Sequence, residues 1–271
     1  MTKQTLSIYQ VDAFTDRVFS GNPAAVCPLQ QWLADDVMQN IAFENNLSET
    51  AFYYQRADGD YDLRWFTPAA EVDLCGHATL ATAYVIFEVL KSDQSILHFH
   101  TESGMLKVSR DGELLVLDFP ARPPVPVSCP EGFKDAVGMT PVAFLKGAKN
   151  LAIFNAPEDV AGLEPDMDWI AKLEGDGLIC SAATAKNGDD DINDIDFVSR
   201  YFAPHVGIDE DPVTGSAHTE LVPYWAERLG KNKLHARQIS ARGGSLFCTL
   251  SADRVLLAGT GVLYLKGEIF V

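Results

Sequence analysis

The chain has 271 residues, enough for two modest domains or one large one, and enough to form a core without disulfides or a metal. Its 47% apolar and 22% charged residues are the composition of a soluble globular protein, not of a disordered or fibrous one. The net charge of −17 sets the surface against phosphate backbones and anionic lipid, so neither nucleic acid nor membrane is an expected partner. A small anionic substrate remains compatible, because a local site can be positive within a negative field.

Five widely spaced cysteines with no CxxC pair argue against a zinc motif and against a disulfide framework. Residues 1–5 lack the basic stretch and apolar core of a secretory signal, and the most apolar segment, 80–90, is too short to span a bilayer. The expectation is a reduced, cytoplasmic protein.

In chain order, alternation predicts a strand at 6–11, then a helix over 33–44. A polar loop, Asn45-Asn46-Leu47-Ser48-Glu49-Thr50, leads into a strand at 51–54, and another strand follows at 61–66. The segment 78–90 reads as a helix that is apolar nearly all round, which means burial on every side. Strands at 96–100, 105–108 and 114–119 follow, with Asp111-Gly112 as a hairpin turn. Short helices at 131–137 and 168–173 lie among strands at 151–154, 178–181 and 195–202. The acidic run 188–191 reads as a solvated loop. A helix over 217–229 contains Pro223, which predicts a kink, and strands at 245–250 and 255–257 come after it.

A strand-rich chain that buries a helix on all sides is α+β, with sheet wrapped about a central helix. Four prolines in the seven residues 120–126 should leave the sheet ladder and mark a boundary. The expected domains are 1–122 and 123–271, with a final strand near 262–271 returning to the first. The halves also look related. Phe66-Thr67-Pro68 stands ten residues before Gly76-His77-Ala78 and a helix, and Phe202-Ala203-Pro204 stands thirteen before Gly215-Ser216-Ala217 and a helix. That pattern suggests a duplicated domain.

Each of these helix starts offers backbone N–H groups and a positive dipole end, a place for a carboxylate. His77 and Ser216 occupy equivalent positions there. Asp73 precedes the first start and Asp211 the second, while Glu49 closes the polar loop. Carboxylate, imidazole and hydroxyl beside an anion site are the groups that proton transfer next to a carboxylate needs. Each also has a plain reading: Glu49 as a loop residue, His77 or Ser216 as a helix cap, Asp211 as a turn before proline. No GxGxxG, Walker A or GxSxG pattern occurs, so nucleotide and serine-hydrolase chemistry have no support.

Four blocks together resemble the PhzF phenazine-biosynthesis-like family of the diaminopimelate epimerase fold. They are Gly21-Asn22-Pro23-Ala24-Ala25-Val26, Asn46 to Phe52, Phe66-Thr67-Pro68 with Glu71 to Leu80, and Asp211-Pro212-Val213-Thr214-Gly215-Ser216-Ala217. The resemblance implies two similar domains, each a curved, barrel-like sheet around a central helix, with the active site between them, usually in a homodimer. It implies no metal and no organic cofactor. In the family's characterised isomerases a glutamate matching Glu49 moves a proton between carbons of a dihydro-hydroxyanthranilate. Residues matching His77, Asp211 and Ser216 hold or polarise the substrate, and Gly76, Gly215, Asp73 and Cys75 lie in the substrate-binding blocks. The expected function is therefore a cofactor-independent isomerase acting on a small unsaturated or amino carboxylate. The competing readings are an amino-acid racemase or epimerase using Cys75, which lacks a second cysteine in the other repeat, and a non-catalytic metabolite-binding protein.

Overall fold

The computed structural model describes residues 4–184 and 195–271; the acidic run 188–191 lies outside them. The chain forms two compact units, residues 1–118 with 258–271 and residues 119–257. The division falls slightly before the expected residue 122, and the stretch from 258 onward belongs with the first unit, so the second is not continuous to 271.

The first unit contains β1 (Thr5–Ala13), β2 (Asn22–Leu29), α1 (Asp35–Asn45), β3 (Glu49–Gln55), β4 (Tyr61–Phe66), the two-residue β5 (Glu71–Val72) and α2 (Gly76–Tyr84). It continues with β6 (Ile96–Thr101), β7 (Gly104–Asp111) and β8 (Leu114–Pro120), whose last residues cross into the second. Asp111 pairs with Leu114 around Gly112, which sits at φ +61, so the hairpin turns where the sequence placed it.

Eight consecutive residues of α2, Gly76 to Ala83, are buried. The helix packs against β1, β2 and β3, and its small side chains (Gly76, Ala78, Ala81, Ala83) let the strands come close. It begins two residues before the expected 78, which brings Gly76 and His77 into its first turn. It then runs into a π-helical turn, Val85–Val89, closed by the Leu90 N–H on the Val85 carbonyl at 2.9 Å.

The second unit holds β9 (Val125–Pro126), α3 (Phe133–Val137), β10 (Ala143–Lys146), β11 (Asn150–Ile153), α4 (Pro157–Ala161) and α5 (Met167–Ile170). Next come β12 (Leu178–Ala183), β13 (Phe197–Phe202), α6 (Gly215–Leu229), β14 (Lys233–Gln238), β15 (Gly244–Ser251) and β16 (Arg254–Gly259). The final strand, β17 (Gly261–Phe270), pairs antiparallel with the whole of β1.

The duplication is structural. Along β1, β2, β3, β4, β6 and β7 the pairings run antiparallel, parallel, antiparallel, parallel, antiparallel. The same order recurs along β10 to β15. Helices α2 and α6 fill the same slot, the crossover between parallel strands that follows a Phe-x-Pro corner.

One proline expectation changes. The connector does not wholly leave the ladder: Val125 and Pro126 pair with Lys146 and Leu145, and the Val127 N–H reaches the Phe144 carbonyl at 3.0 Å. Helix α6 continues unbroken past Pro223. The Thr219 carbonyl, which a proline at 223 cannot serve, accepts the backbone N–H of Arg122 at 3.0 Å instead. Among the described residues no helix is long and apolar enough to cross a membrane.

Candidate active site

Glu49 is the first residue of β3, held there by the turn that ends α1. Asn46 closes that helix in the left-handed conformation with its N–H on the Ala42 carbonyl, and the chain reverses into the strand three residues later. Glu49 pairs across the parallel ladder with Ala24 of β2. His77 is the second residue of α2, one position past Gly76. Its Nε2 lies 3.0 Å from Glu49 Oε2, with the side chains 5% and 13% exposed. The two atoms face each other off the line of a hydrogen bond, and both are buried.

On the other edge of the imidazole, Nδ1 is 3.2 Å from Asn22 Nδ2 and 3.5 Å from Cys75 Sγ. Burial pushes the Cys75 pKa up and the Glu49 carboxylate adds to it, so Cys75 is a thiol and not a thiolate. Burial pulls the other way on His77, but the Glu49 carboxylate, with the Cys75 sulfur as a hydrogen-bond acceptor, outweighs it and holds the histidine well above its ordinary value. The cluster therefore favours a positive imidazole edge beside a carboxylate.

The second helix start is built differently. Asp211 accepts the Thr214 hydroxyl at 2.5 Å on Oδ2, and its backbone N–H is bound to the Tyr201 carbonyl at 3.0 Å. Gln238, fully buried at the end of β14, ties the loop together. Its Nε2 donates to the Asp211 carbonyl at 2.7 Å and to Thr214 Oγ1 at 3.1 Å, while its Oε1 accepts the Thr214 N–H at 2.8 Å. Ser216 is half-buried in the first turn, and its hydroxyl makes no hydrogen bond among the described residues.

The structure thus brings Glu49, Cys75, Gly76 and His77 together in the first unit, and Asp211, Gly215 and Ser216 together in the second. Asp73 is exposed; its carbonyl takes the Ser103 hydroxyl at 2.7 Å. The helix-cap readings fail for both residues: the N-caps are Cys75 and Thr214, and neither caps through its side chain. Sequence reasoning assigned no role to Asn22 or Gln238. Asn22 stood inside a quoted motif, but its partner His77 is 55 positions away. Gln238 is 24 residues from Thr214 and carried no signal at all.

Glu49, Cys75 and His77 also place three ligand-type atoms within 4.8 Å of one another. Chelation needs them to converge on one point. Here the sulfur lies at Nδ1 and the carboxylate at Nε2, on different edges of the ring, which suits proton exchange better than a shared ion.

The family model PhzC-PhzF, described as phenazine biosynthesis-like protein, matches residues 11–267. The chain is 51% identical to an uncharacterized isomerase of Pseudomonas aeruginosa over 97% of its own length and 98% of that protein's. It superposes on the crystal structure of a phenazine biosynthesis protein of the PhzF family from Enterococcus faecalis with a TM-score of 0.93, at 43% identity, covering 99% of this chain and 100% of the other. A hydroxyproline epimerase from Agrobacterium vitis shares the fold at a TM-score of 0.64 and 9% identity, with 98% and 93% of the two chains covered. The architecture is therefore α+β of the diaminopimelate epimerase type, and the 51% identical relative supports the class of isomerase.

Proposed function

Because this chain belongs to the PhzC-PhzF family of phenazine biosynthesis-like proteins, we propose that it is a cofactor-independent isomerase that moves a proton on a small unsaturated or amino carboxylate. The observation that carries this reading is the buried Glu49–His77 contact at 3.0 Å, set at the start of a helix. Glu49 takes a proton from a carbon next to the conjugated acid. The C–H electron pair passes into the conjugated system, and the same carboxyl returns a proton at another carbon, with no net oxidation. His77 holds its charge beside the carboxylate and stabilises the negative charge that develops, helped by the dipole of α2. We assign Asp211 and Ser216 to substrate binding.

Cys75 is the one residue that favours an epimerase mechanism, since it sits 3.5 Å from His77. A two-base thiol mechanism needs a second cysteine, and the equivalent position in the second repeat is Thr214. Burial also keeps Cys75 protonated, which suits a bystander better than a base.

The test is deuterium wash-in followed by NMR, with a panel of small carboxylates that includes a dihydro-hydroxyanthranilate. Exchange by wild type that Glu49→Gln abolishes is the expected result. Tight binding of a compound that never exchanges would point instead to a metabolite-binding protein. The same reading places the enzyme in the reducing cytoplasm as a homodimer, which sedimentation of the purified protein checks.

A further inference from the structure

The block Gly21-Asn22-Pro23 is left without a task by the reading above, yet its asparagine touches the histidine at the centre of the site. We propose that Asn22, hydrogen-bonded to Ser48, is a positioning residue that makes Nδ1 of His77 a hydrogen-bond acceptor, so that the proton of the neutral ring sits on Nε2 and faces Glu49.

Asn22 has no freedom to be elsewhere. It opens β2 opposite Ala13 and is fully buried. The residue before it, Gly21, lies at φ +65, and a Cβ there would stand 2.2 Å from the Ala13 carbonyl oxygen, so this turn accepts glycine alone. The amide nitrogen points at His77 Nδ1 at 3.2 Å. An amide nitrogen donates and does not accept, so in the neutral ring Nδ1 must offer its lone pair to it. The other end of the amide is engaged as well: Asn22 Oδ1 accepts the Ser48 hydroxyl at 3.2 Å while the NH2 faces the imidazole. Ser48 is also the neighbour of Glu49, so one short segment carries both the carboxylate and the group that holds its partner's partner.

The consequence is chemical. With Nε2 protonated, the neutral histidine turns a positive N–H edge toward the Glu49 carboxylate 3.0 Å away; with the proton on Nδ1, a bare lone pair on Nε2 would confront it. When the ring is charged, Cys75 Sγ, 3.5 Å from Nδ1, is the available acceptor for the second proton. Asn22 therefore keeps a ring proton on the edge of His77 that faces Glu49.

The catalytic meaning rests on the proposed role of Glu49, but the tautomer is read without turnover. The experiment is nitrogen–proton correlation NMR across a pH series on protein labelled with 15N-histidine, with His77 assigned through His77→Gln. In the wild type the neutral form is expected as Nε2–H. Asn22→Asp, nearly isosteric, places an acceptor at Nδ1 and should reverse the tautomer and extend the charged form to higher pH. Ser48→Ala should shift the tautomer the same way, by less. The kcat of Asn22→Asp should fall about 10- to 100-fold with KM little changed, the usual size for losing a group that orients a functional histidine. A neutral His77 that stays Nε2–H in Asn22→Asp, or that is Nδ1–H in the wild type, would overturn the proposal. Absence of substrate exchange in the wild type would count against the isomerase reading and leave the tautomer result standing.

Discussion

His77 and His218 are buried in the first turns of two equivalent helices, and their pKa values move in opposite directions. His77 is raised, because a carboxylate and a sulfur lie against its two edges. His218 falls to about 4, because burial dominates. Its Nδ1 donates to the Thr214 carbonyl at 2.7 Å and its ring lies tilted over Phe197. The register makes the contrast sharper: Thr79 of α2, the counterpart of His218, bonds the Cys75 carbonyl as His218 bonds that of Thr214. One scaffold, used twice, has produced a charged cluster at one helix start and a neutral hydrogen-bonded lock at the other. The partners within about 3 Å decide which, since direct charge contact and desolvation are the opposing causes of a shift.

Glu49→Gln should show the largest effect. Removing the acid/base group at the charged start should cost about 10³ in kcat, within the span that general acid–base groups supply. The folded state should be kept, with an unchanged urea midpoint.

His218 tests the neutral start through pH. An unfolded histidine takes its proton near 6.5, whereas the folded His218 does so at about 4. Between these values the unfolded chain binds the extra proton, so stability falls as the pH falls through that window. The total from this group is about 3 kcal/mol. Urea titrations at several pH values should show this slope in the wild type and lose it in His218→Leu.

Gln238→Leu should loosen the lock. The Thr214 N–H and the Asp211 carbonyl would lose buried partners, a cost of about 1–3 kcal/mol read as a lower urea midpoint with the same m-value. The smallest effect belongs to Cys75→Ser. As a neutral thiol beside His77, Cys75 should change kcat by less than about tenfold, whereas loss of a true base would cost far more.

Much of this comparison was legible in the amino-acid sequence. The all-round apolarity of 78–90 announced a buried helix, and the Phe-x-Pro corners before Gly76 and Gly215 announced the repeat. Local pattern alone leaves Glu49 as a loop residue and His77 as a helix cap; the resemblance of their blocks to the PhzF family is what gives them roles. Asn22, Ser48 and Gln238 were not legible as functional residues, since their roles depend on strands β2 and β14 reaching helices far along the chain. The cap readings for His77 and Ser216 failed for a local reason. Glycine can itself be the first helical residue, which moves the caps back to Cys75 and Thr214. The helix through Pro223 needed the Arg122 N–H, a partner no local pattern reveals.

The central claim is that the charged helix start moves protons through Glu49. Solvent deuterium incorporation into substrate carbon, followed by NMR with wild type, Glu49→Gln and Cys75→Ser side by side, tests it most directly. Exchange in wild type and in Cys75→Ser, with none in Glu49→Gln, is the predicted result. Exchange that survives in Glu49→Gln and disappears in Cys75→Ser would contradict it and hand the chemistry to the thiol.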